Sequence, residues 1–385
     1  MKFFYIVIFD GEIESGVNKK ANAHVKYLIS CGIDATLILI EAGNKSNNTP
    51  SNLIKNPGVI TKRKNIINRL MNARKIAKVI GNSIRELQTT DVLSIRYPLP
   101  TAYYPIIFFK PFRRCKVIFE YNALITQELL LTHFYLDIFL EYFFGFFIRS
   151  MADAGIGVTH EITDYERTKT GNRNKPFITI ANGIEVNAIQ LRLPPSSVDK
   201  NTVTMICVAN VSPWHGLDRL ILGMSHYSET HSVKLHVVGE GMDIQKLKTL
   251  CQQKNLSDHV LFHGFLSGSK LDRLFDESHI AVGSLGIHRK GLSQTSELKA
   301  REYCARGIPY MVACSDPDFP NDFPYILRIP ADESPIDMKQ VIRYTSAIYQ
   351  DPDHPQKMRQ YAIEHLDWSI KMKKLKKFLE EVIHR

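Results

Sequence analysis

The chain has 385 residues, more than one hydrophobic core fills, so two domains of roughly 150 to 200 residues are expected. Hydrophobic content of 44% with 23% charged residues excludes a disordered or fibrous protein, and no apolar stretch is long enough to span a bilayer. The net charge of +10 calls for an anionic partner, yet Lys and Arg are dispersed and no nucleic-acid-binding module appears, which argues against nucleic acid. Six scattered cysteines without a C-x-x-C pair read as reduced core thiols of a cytosolic protein.

In chain order, Phe3 to Phe9 is a first strand, cut off by Asp10, Gly11 and Glu12 and so too short for a signal peptide. A loop ending in Ser15-Gly16-Val17 leads into an amphipathic helix over Asn18 to Ile29. Strand, glycine loop and helix recur where doubly wound sheets place ligands, although one glycine in such a turn is first a structural feature. Ala35 to Ile40 is a second strand, and Glu41 to Lys64 is a polar surface excursion. Ile66 to Leu87 is a basic helix, presenting either a solvated face or a surface toward anionic lipid.

Val92 to Ile95 is a strand with Arg96 at its carboxyl end, a candidate contact for a substrate phosphate. Lys116 to Phe119 ends in Glu120-Tyr121-Asn122, and two readings stand. Glu120 holds an acceptor hydroxyl and assists its deprotonation, or Asn122 caps a helix with Glu120 as a bystander. Leu129 to Ile148 is a core helix with one strongly apolar face, and the cluster Phe143, Phe144, Phe146 and Phe147 leaves a membrane-surface role as a second reading. Strands over Ala154 to Val158, ending at Thr159-His160, and over Phe177 to Ala181 complete this half. In Asn182-Gly183-Ile184-Glu185 the Asn-Gly pair supplies the positive φ angles of a tight turn.

The second half alternates again, with strands at Val203 to Ala209, Leu235 to Val238, Val260 to Phe262 and Ile280 to Ser284. A basic loop, Leu285 to Gly291, then precedes the most informative stretch, Gly291 to Pro309. Ser293, Thr295 and Ser296 are N-cap candidates, Glu297 to Arg306 is helical with an i,i+4 Glu297–Arg301 pair, and Gly307 with Pro309 ends the helix. Tyr310 to Cys314 follows as a buried strand. A helix start beside such a strand favours a diphosphate, and Glu302, about two turns in, is placed to accept hydrogen bonds from ribose hydroxyls. The plainer alternative is one more solvated charge. A last strand at Ile326 to Ile329, a helix at Val341 to Ile348 and a basic helical tail from Lys357 to Arg385 close the chain.

The run Leu298-Lys-Ala-Arg-Glu-Tyr-Cys-Ala-Arg-Gly-Ile-Pro309 with its following strand resembles the donor signature of GT-B retaining glycosyltransferases of family 4. That signature has two glutamates separated by seven residues, then a small residue, Gly and Pro. Glu302 matches the second, which the resemblance makes the ribose ligand; the first falls on Gln294, an amide in place of the carboxylate that contacts the donor sugar. The resemblance also places Gly16, His263-Gly264-Phe265 and the loop Asn210 to Asp218 against the donor, and Glu120 on the acceptor side, where Arg96 and His160 are further candidates. Asn210 and His215 replace an Arg and a Lys that neutralise the diphosphate. His215 is expected to charge against it, and Arg289 and Lys290 to supply the rest.

The expected fold is α/β, GT-B: two Rossmann-like domains facing a central cleft, over 1–188 and 201–356, joined by a linker at 189–200, with a helix over 357–385 crossing back. The expected function is retaining transfer of a sugar from a nucleotide diphosphate sugar to a saccharide, lipid-linked acceptor in capsule or O-antigen assembly. Glu120, Gln294 and Glu302 are the candidate catalytic residues. Gly16, Asn210, His215, Gly264, Phe265, Ser293, Thr295, Ser296 and Glu302 are the candidate donor ligands. No cofactor beyond the nucleotide sugar and no metal is expected, since Asp316-Pro-Asp318 lies in a turn. The setting is cytoplasmic, peripheral on the inner face of the plasma membrane. A GT-B nucleotide-sugar epimerase and a noncatalytic nucleotide-sugar-binding scaffold are the rival readings.

Overall fold

A computed structural model describes residues 1–9, 16–41, 54–55, 66–97, 113–131, 135–195, 202–227 and 232–385. The chain divides into two units: Met1–Ala181 with Trp368–Arg385, and Asn182–Asp367. The expected glycine loop apart from Gly16, and most of the polar excursion, lie outside the described residues.

Unit 1 is built on strands β1 (Lys2–Phe9), β2 (Asp34–Glu41), β3 (Ile54–Lys55), β4 (Val92–Tyr97), β5 (Lys116–Tyr121), β6 (Ala154–Gly157) and β7 (Phe177–Thr179). They form one parallel sheet in the order β3-β2-β1-β4-β5-β6-β7. Helices on both faces explain why β1 and β5 read as nearly continuous apolar runs rather than alternating ones. The helices are α1 (Gly16–Ser30), α2 (Ile66–Glu86), α3 (Ile125–Leu131), α4 (Tyr135–Met151) and α5 (His160–Lys169), with α12 (Trp368–Ile383) joining from the far end of the chain. On α12, Trp368 sets its ring edge-on to His24 at 4.9 Å, while Lys374 and Lys376 donate to the carbonyls of Thr179 (3.0 Å) and Cys31 (2.8 Å).

Of the segment expected to be helical over 129–148, the described residues are the end of α3 and most of α4, with 132–134 outside them, and of the two readings offered the core-helix one does not hold for α4. Its apolar side is not all core: Tyr142 is 82% exposed, and Phe139, Phe143, Phe146 and Phe147 are each about half exposed. What α4 buries includes Arg149, whose Nε meets Glu166 at 2.5 Å and whose Nη1 meets Glu141 at 2.5 Å, with Tyr97 donating to Glu141 at 2.7 Å. A buried guanidinium is tolerable with two carboxylates around it, so the polar residues went inward and left the rings outside.

Unit 2 carries β8 (Thr202–Val208), β9 (Ser232–Val238), β10 (Val260–Gly264), β11 (Ile280–Val282), β12 (Tyr310–Val312) and β13 (Ile326–Arg328). They are parallel, in the order β10-β9-β8-β11-β12-β13. Its helices are α6 (Leu217–His226), α7 (Ile244–Gln253), α8 (Ser269–Glu277), α9 (Leu298–Arg306), α10 (Met338–Ile348) and α11 (His354–Tyr361).

The unit boundaries differ from those expected at 188 and 357. Residues before 196 are bound into unit 2 rather than serving as a linker: buried Arg192 donates to the carbonyls of Ser278 (2.6 Å) and Gly307 (3.1 Å) and to the Tyr349 hydroxyl (2.9 Å). Residues 354–366 also stay in unit 2, because Met358, Ala362 and Leu366 are buried in the cluster that holds Ala300, Tyr303 and Cys304 of α9. Only from Trp368 does the chain belong to unit 1.

Candidate functional site

In unit 2 the strand order reverses at β8, which has β9 and β10 on one side and β11 to β13 on the other. Parallel sheets bind ligands outside the carboxyl ends of the strands at such a switch point. Two loops meet there, residues 209–216 after β8 and 283–291 after β11. They are joined by hydrogen bonds from Leu285 N to His215 O (3.0 Å) and from Gly286 N to Trp214 O (3.2 Å). The approach is close enough that Gly216, at φ 63°, has no room for a side chain: a Cβ would lie 2.8 Å from Gly286 N. Within the first loop Asn210 is exposed, while His215 is buried.

α9 starts beside this crevice. Its N-cap is Glu297, without a side-chain capping bond, so Ser293, Thr295 and Ser296 do not cap it. The segment before it lies alongside Ser315: Thr295 N donates to Ser315 O (2.9 Å), Ser315 N to Ser293 O (3.0 Å), and Gln294 forms a bridge with the same residue. Ser296 is buried and holds Asn182, accepting from its backbone N–H at 2.7 Å and from its side-chain amide at 2.5 Å. Neither Asn182 nor Gly183 has a positive φ, so the Asn-Gly pair is not the left-handed turn expected; Asn182 is a clasp on the α9 entrance.

Arg301 is the fixed point of α9. Its five N–H groups are all used, on Asn182 O (2.8 Å), Glu297 O (3.2 Å), both carboxylate oxygens of Asp316 and one of Asp318 (2.7 Å). The expected Glu297–Arg301 side-chain pair is therefore replaced by a backbone contact, and Glu297 instead accepts from Ser284 Oγ. Glu302 sits half-buried on the second turn; Arg306 Nε donates to its Oε1 at 2.9 Å, and Arg306 is itself held by Asp272 at 2.8 Å.

The charges expected to replace the missing loop cations are not available as supposed. His215 accepts from Ser212 N through Nδ1 at 3.0 Å, and burial together with the Lys299 charge lowers its pKa to about 2, so the ring is neutral with its proton on Nε2. Arg289 is committed to Asp218 (2.9 Å), Glu333 (2.5 Å) and Pro213 O (2.6 Å). Lys290 lies 4.6 Å over the Trp214 ring. At the end of β10, Gly264 gives its carbonyl to Gly239 N at 2.7 Å, and the Phe265 ring is 64% exposed, open to stack a flat ligand.

In unit 1, Glu120 does not present a carboxylate to an acceptor. It is 1% exposed and accepts from Tyr5 Oη (2.6 Å), Lys20 Nζ (2.5 Å) and Asn122 Nδ2 (3.3 Å). Burial alone would raise its pKa, but Lys20 and His24 outweigh that and hold it well below the usual carboxylate range. Its carboxylate is therefore engaged within unit 1 rather than standing by, and Asn122 bonds to Lys20 (2.6 Å). Arg96 pairs in register with Glu120 across β4 and β5 and is half-buried there. His160 opens α5, exposed, with Nδ1 3.2 Å from Thr179 Oγ1; Gly16 is the exposed first residue of α1.

Sequence reasoning passed over Lys299. Its signal was present: a lysine in the first turn of a helix opposes the helix dipole, and such a placement needs a reason.

Residues 193–286 match the family model described as glycosyl transferases group 1, a span that takes in β8 to β11 and the loop after β8 and ends within the loop after β11, before α9. A glycosyltransferase from Rickettsia africae ESF-5 is similar in structure over 99% of this chain and 98% of that one, at a TM-score of 0.68 and 14% identity. The fold is GT-B. The lipopolysaccharide outer core galactosyltransferase WaaB is similar at a TM-score of 0.65 and 12% identity, with 99% of each chain covered. Anabaena HepE, solved in complex with UDP and glucose, gives a TM-score of 0.65 at 14% identity, over 99% of this chain and 100% of that one. No curated protein matches the sequence.

Proposed function

We propose that this GT-B protein is a retaining glycosyltransferase that moves a sugar from a nucleotide diphosphate sugar to a hydroxyl of a saccharide acceptor. The observation that carries the reading is the start of α9 at the switch point of unit 2, with Glu302 two turns in at the position its motif gives to a ribose ligand. HepE with UDP and glucose supports the donor class. In the donor site the N–H groups of the first turn of α9 face the diphosphate, Glu302 takes the ribose hydroxyls, and Phe265 with the Gly264 segment borders the base. Gln294 serves the donor sugar through its amide. The protein's contribution is positioning and stabilisation of charge on the departing diphosphate.

The reaction proceeds without a metal ion, since Asp316 and Asp318 already hold Arg301. Arg96 and His160 serve the acceptor. The acceptor is lipid-linked and the enzyme peripheral on the cytoplasmic face of the membrane, in surface polysaccharide assembly. This is supported by the exposed aromatic side of α4, by the net charge of +10, and by the likeness to WaaB. The test is incubation of the purified protein with UDP-, GDP- and ADP-sugars and a membrane lipid extract, with the anomer of any product read by NMR. An epimeric nucleotide sugar without diphosphate release would indicate an epimerase, free diphosphate with free sugar a hydrolase, and no turnover with any donor would leave a binding scaffold.

A further inference from the structure

The cations around the unit 2 crevice are nearly all spent. Arg289, Arg301 and Arg306 each hold two carboxylates, and Arg219 holds Asp332 and the carbonyls of Pro330, Ser334 and Leu285. Lys290 rests on Trp214, and His215 is neutral. Lys299 differs from all of these. Its side chain keeps 11% of its surface, Nζ is buried, and no acceptor among the described residues takes a hydrogen bond from it. Its nearest charge is Glu297 Oε2 at 3.8 Å, an oxygen that also lacks a hydrogen-bond partner, because Glu297 is held through Oε1 by Ser284.

The position is as telling as the lack of hydrogen-bond acceptors. Lys299 is the second residue of α9, two residues after the N-cap Glu297, whose carboxylate is tied to Ser284 in the loop after β11. It therefore sits at the carboxyl edge of the sheet, under the crevice. A buried ammonium with three unmet N–H groups is costly, and placing it in the first turn of a helix adds repulsion from the dipole. Both costs turn to advantage when a polyanion enters, since helix start and ammonium then act on the same charge.

We infer that Lys299 binds the diphosphate of the donor, supplying from α9 the positive charge that Asn210 and His215 do not supply from the β8 loop. This rests on the donor-site reading above. The four-carbon stem lets the ammonium leave Glu297 for a phosphate oxygen without moving α9, which Arg301 holds in place. During transfer the bond between the anomeric carbon and the β-phosphate oxygen breaks, and its electron pair stays on that oxygen, where Lys299 meets the developing charge. The acceptor oxygen takes its place on the carbon, and the hydroxyl proton passes to the diphosphate.

The experiment is calorimetry on the full chain with UDP, GDP and ADP and with the matching nucleosides, comparing wild type with Lys299→Met, Lys299→Gln and Lys299→Arg. Circular dichroism and thermal unfolding establish beforehand that each variant is folded, and any that is not is left out. For the nucleoside diphosphate that binds, the Met or Gln variant is expected to lose about 10- to 100-fold in affinity, and the Arg variant less than about tenfold. Affinity for the nucleoside is expected to stay within about twofold in all of them, a split that a general disturbance of the site does not produce. Equal weakening of nucleoside and diphosphate, or no change for either, overturns the role of Lys299 while the donor reading stands. Failure of wild type to bind any of the three diphosphates overturns the donor reading itself.

Discussion

Replacing Arg301 by Met tests the account of how α9 is fixed. Arg301 is fully buried, and its two carboxylate partners are 11% and 12% exposed. Met fills a similar volume but leaves Asp316 and Asp318 side by side without a cation and strands the carbonyl of Asn182. Removing one partner of a buried charge cluster costs about 3 to 5 kcal/mol. Unit 2 spans residues 182–367, and for a unit of that size each kcal/mol moves the midpoint by about 2 to 4 °C, so Tm should fall by about 6 to 20 °C. The deficit should also depend on pH. Burial already raises the Asp316 pKa against the pull of Arg301, and without Arg301 it rises further. The folded variant then binds more protons than its unfolded chain, so its stability grows as pH falls, and the gap to wild type narrows between pH 7.5 and pH 5. Calorimetric unfolding at the two pH values reads both effects. A loss below about 1 kcal/mol, or a gap that widens toward acid, would refute the reasoning.

Three further outcomes follow from the same geometry. Glu120→Gln leaves Lys20 buried without a carboxylate and should destabilise unit 1 by about 3 to 5 kcal/mol in urea unfolding, and a loss of activity with stability intact would restore a catalytic role. His215 should remain neutral between pH 5 and 8, since burial holds its pKa near 2, and an imidazole NMR titration with a midpoint near 6 would contradict that. On α4, the triple change Tyr142→Ser, Phe143→Ser, Phe147→Ser removes exposed rings only. Tm should shift by no more than about 2 °C, whereas co-sedimentation with anionic vesicles should weaken by at least about tenfold if the rings enter the lipid boundary. Equal sedimentation of variant and wild type would remove the membrane reading.

How much of this was legible in the sequence depended on whether the signal was periodic or relational. The strands at Phe3, Val92, Lys116, Val203 and Ile280 were visible because parallel strands covered on both faces are unbroken apolar runs bounded by turn residues. The stop of α9 was visible too, since Gly307 takes φ 75° and a Cβ there would meet Pro355. The charged side chains were not. Whether Glu120 faces a ligand or a lysine depends on α1 returning Lys20 and His24 to the end of β5, about a hundred residues away in the chain. Likewise, Asp316 and Asp318 showed the spacing of a metal-binding pair, and only the fold reveals Arg301 beneath them.

The fate of α4 has the same origin. Hydrophobicity along a segment reports how much apolar surface it carries, and the protein chooses which side turns inward. Here Arg149, Glu141, Tyr97 and Glu166 form a buried polar cluster whose hydrogen bonds close on one another. Rotating α4 to hide its rings would expose nothing favourable and would break that cluster, at a cost per lost charge partner of about 3 to 5 kcal/mol. The aromatic face is thus fixed outward by what lies beneath it. A surface held apolar in this way persists at a continuing cost in water, and that cost is recovered where the face meets an apolar boundary.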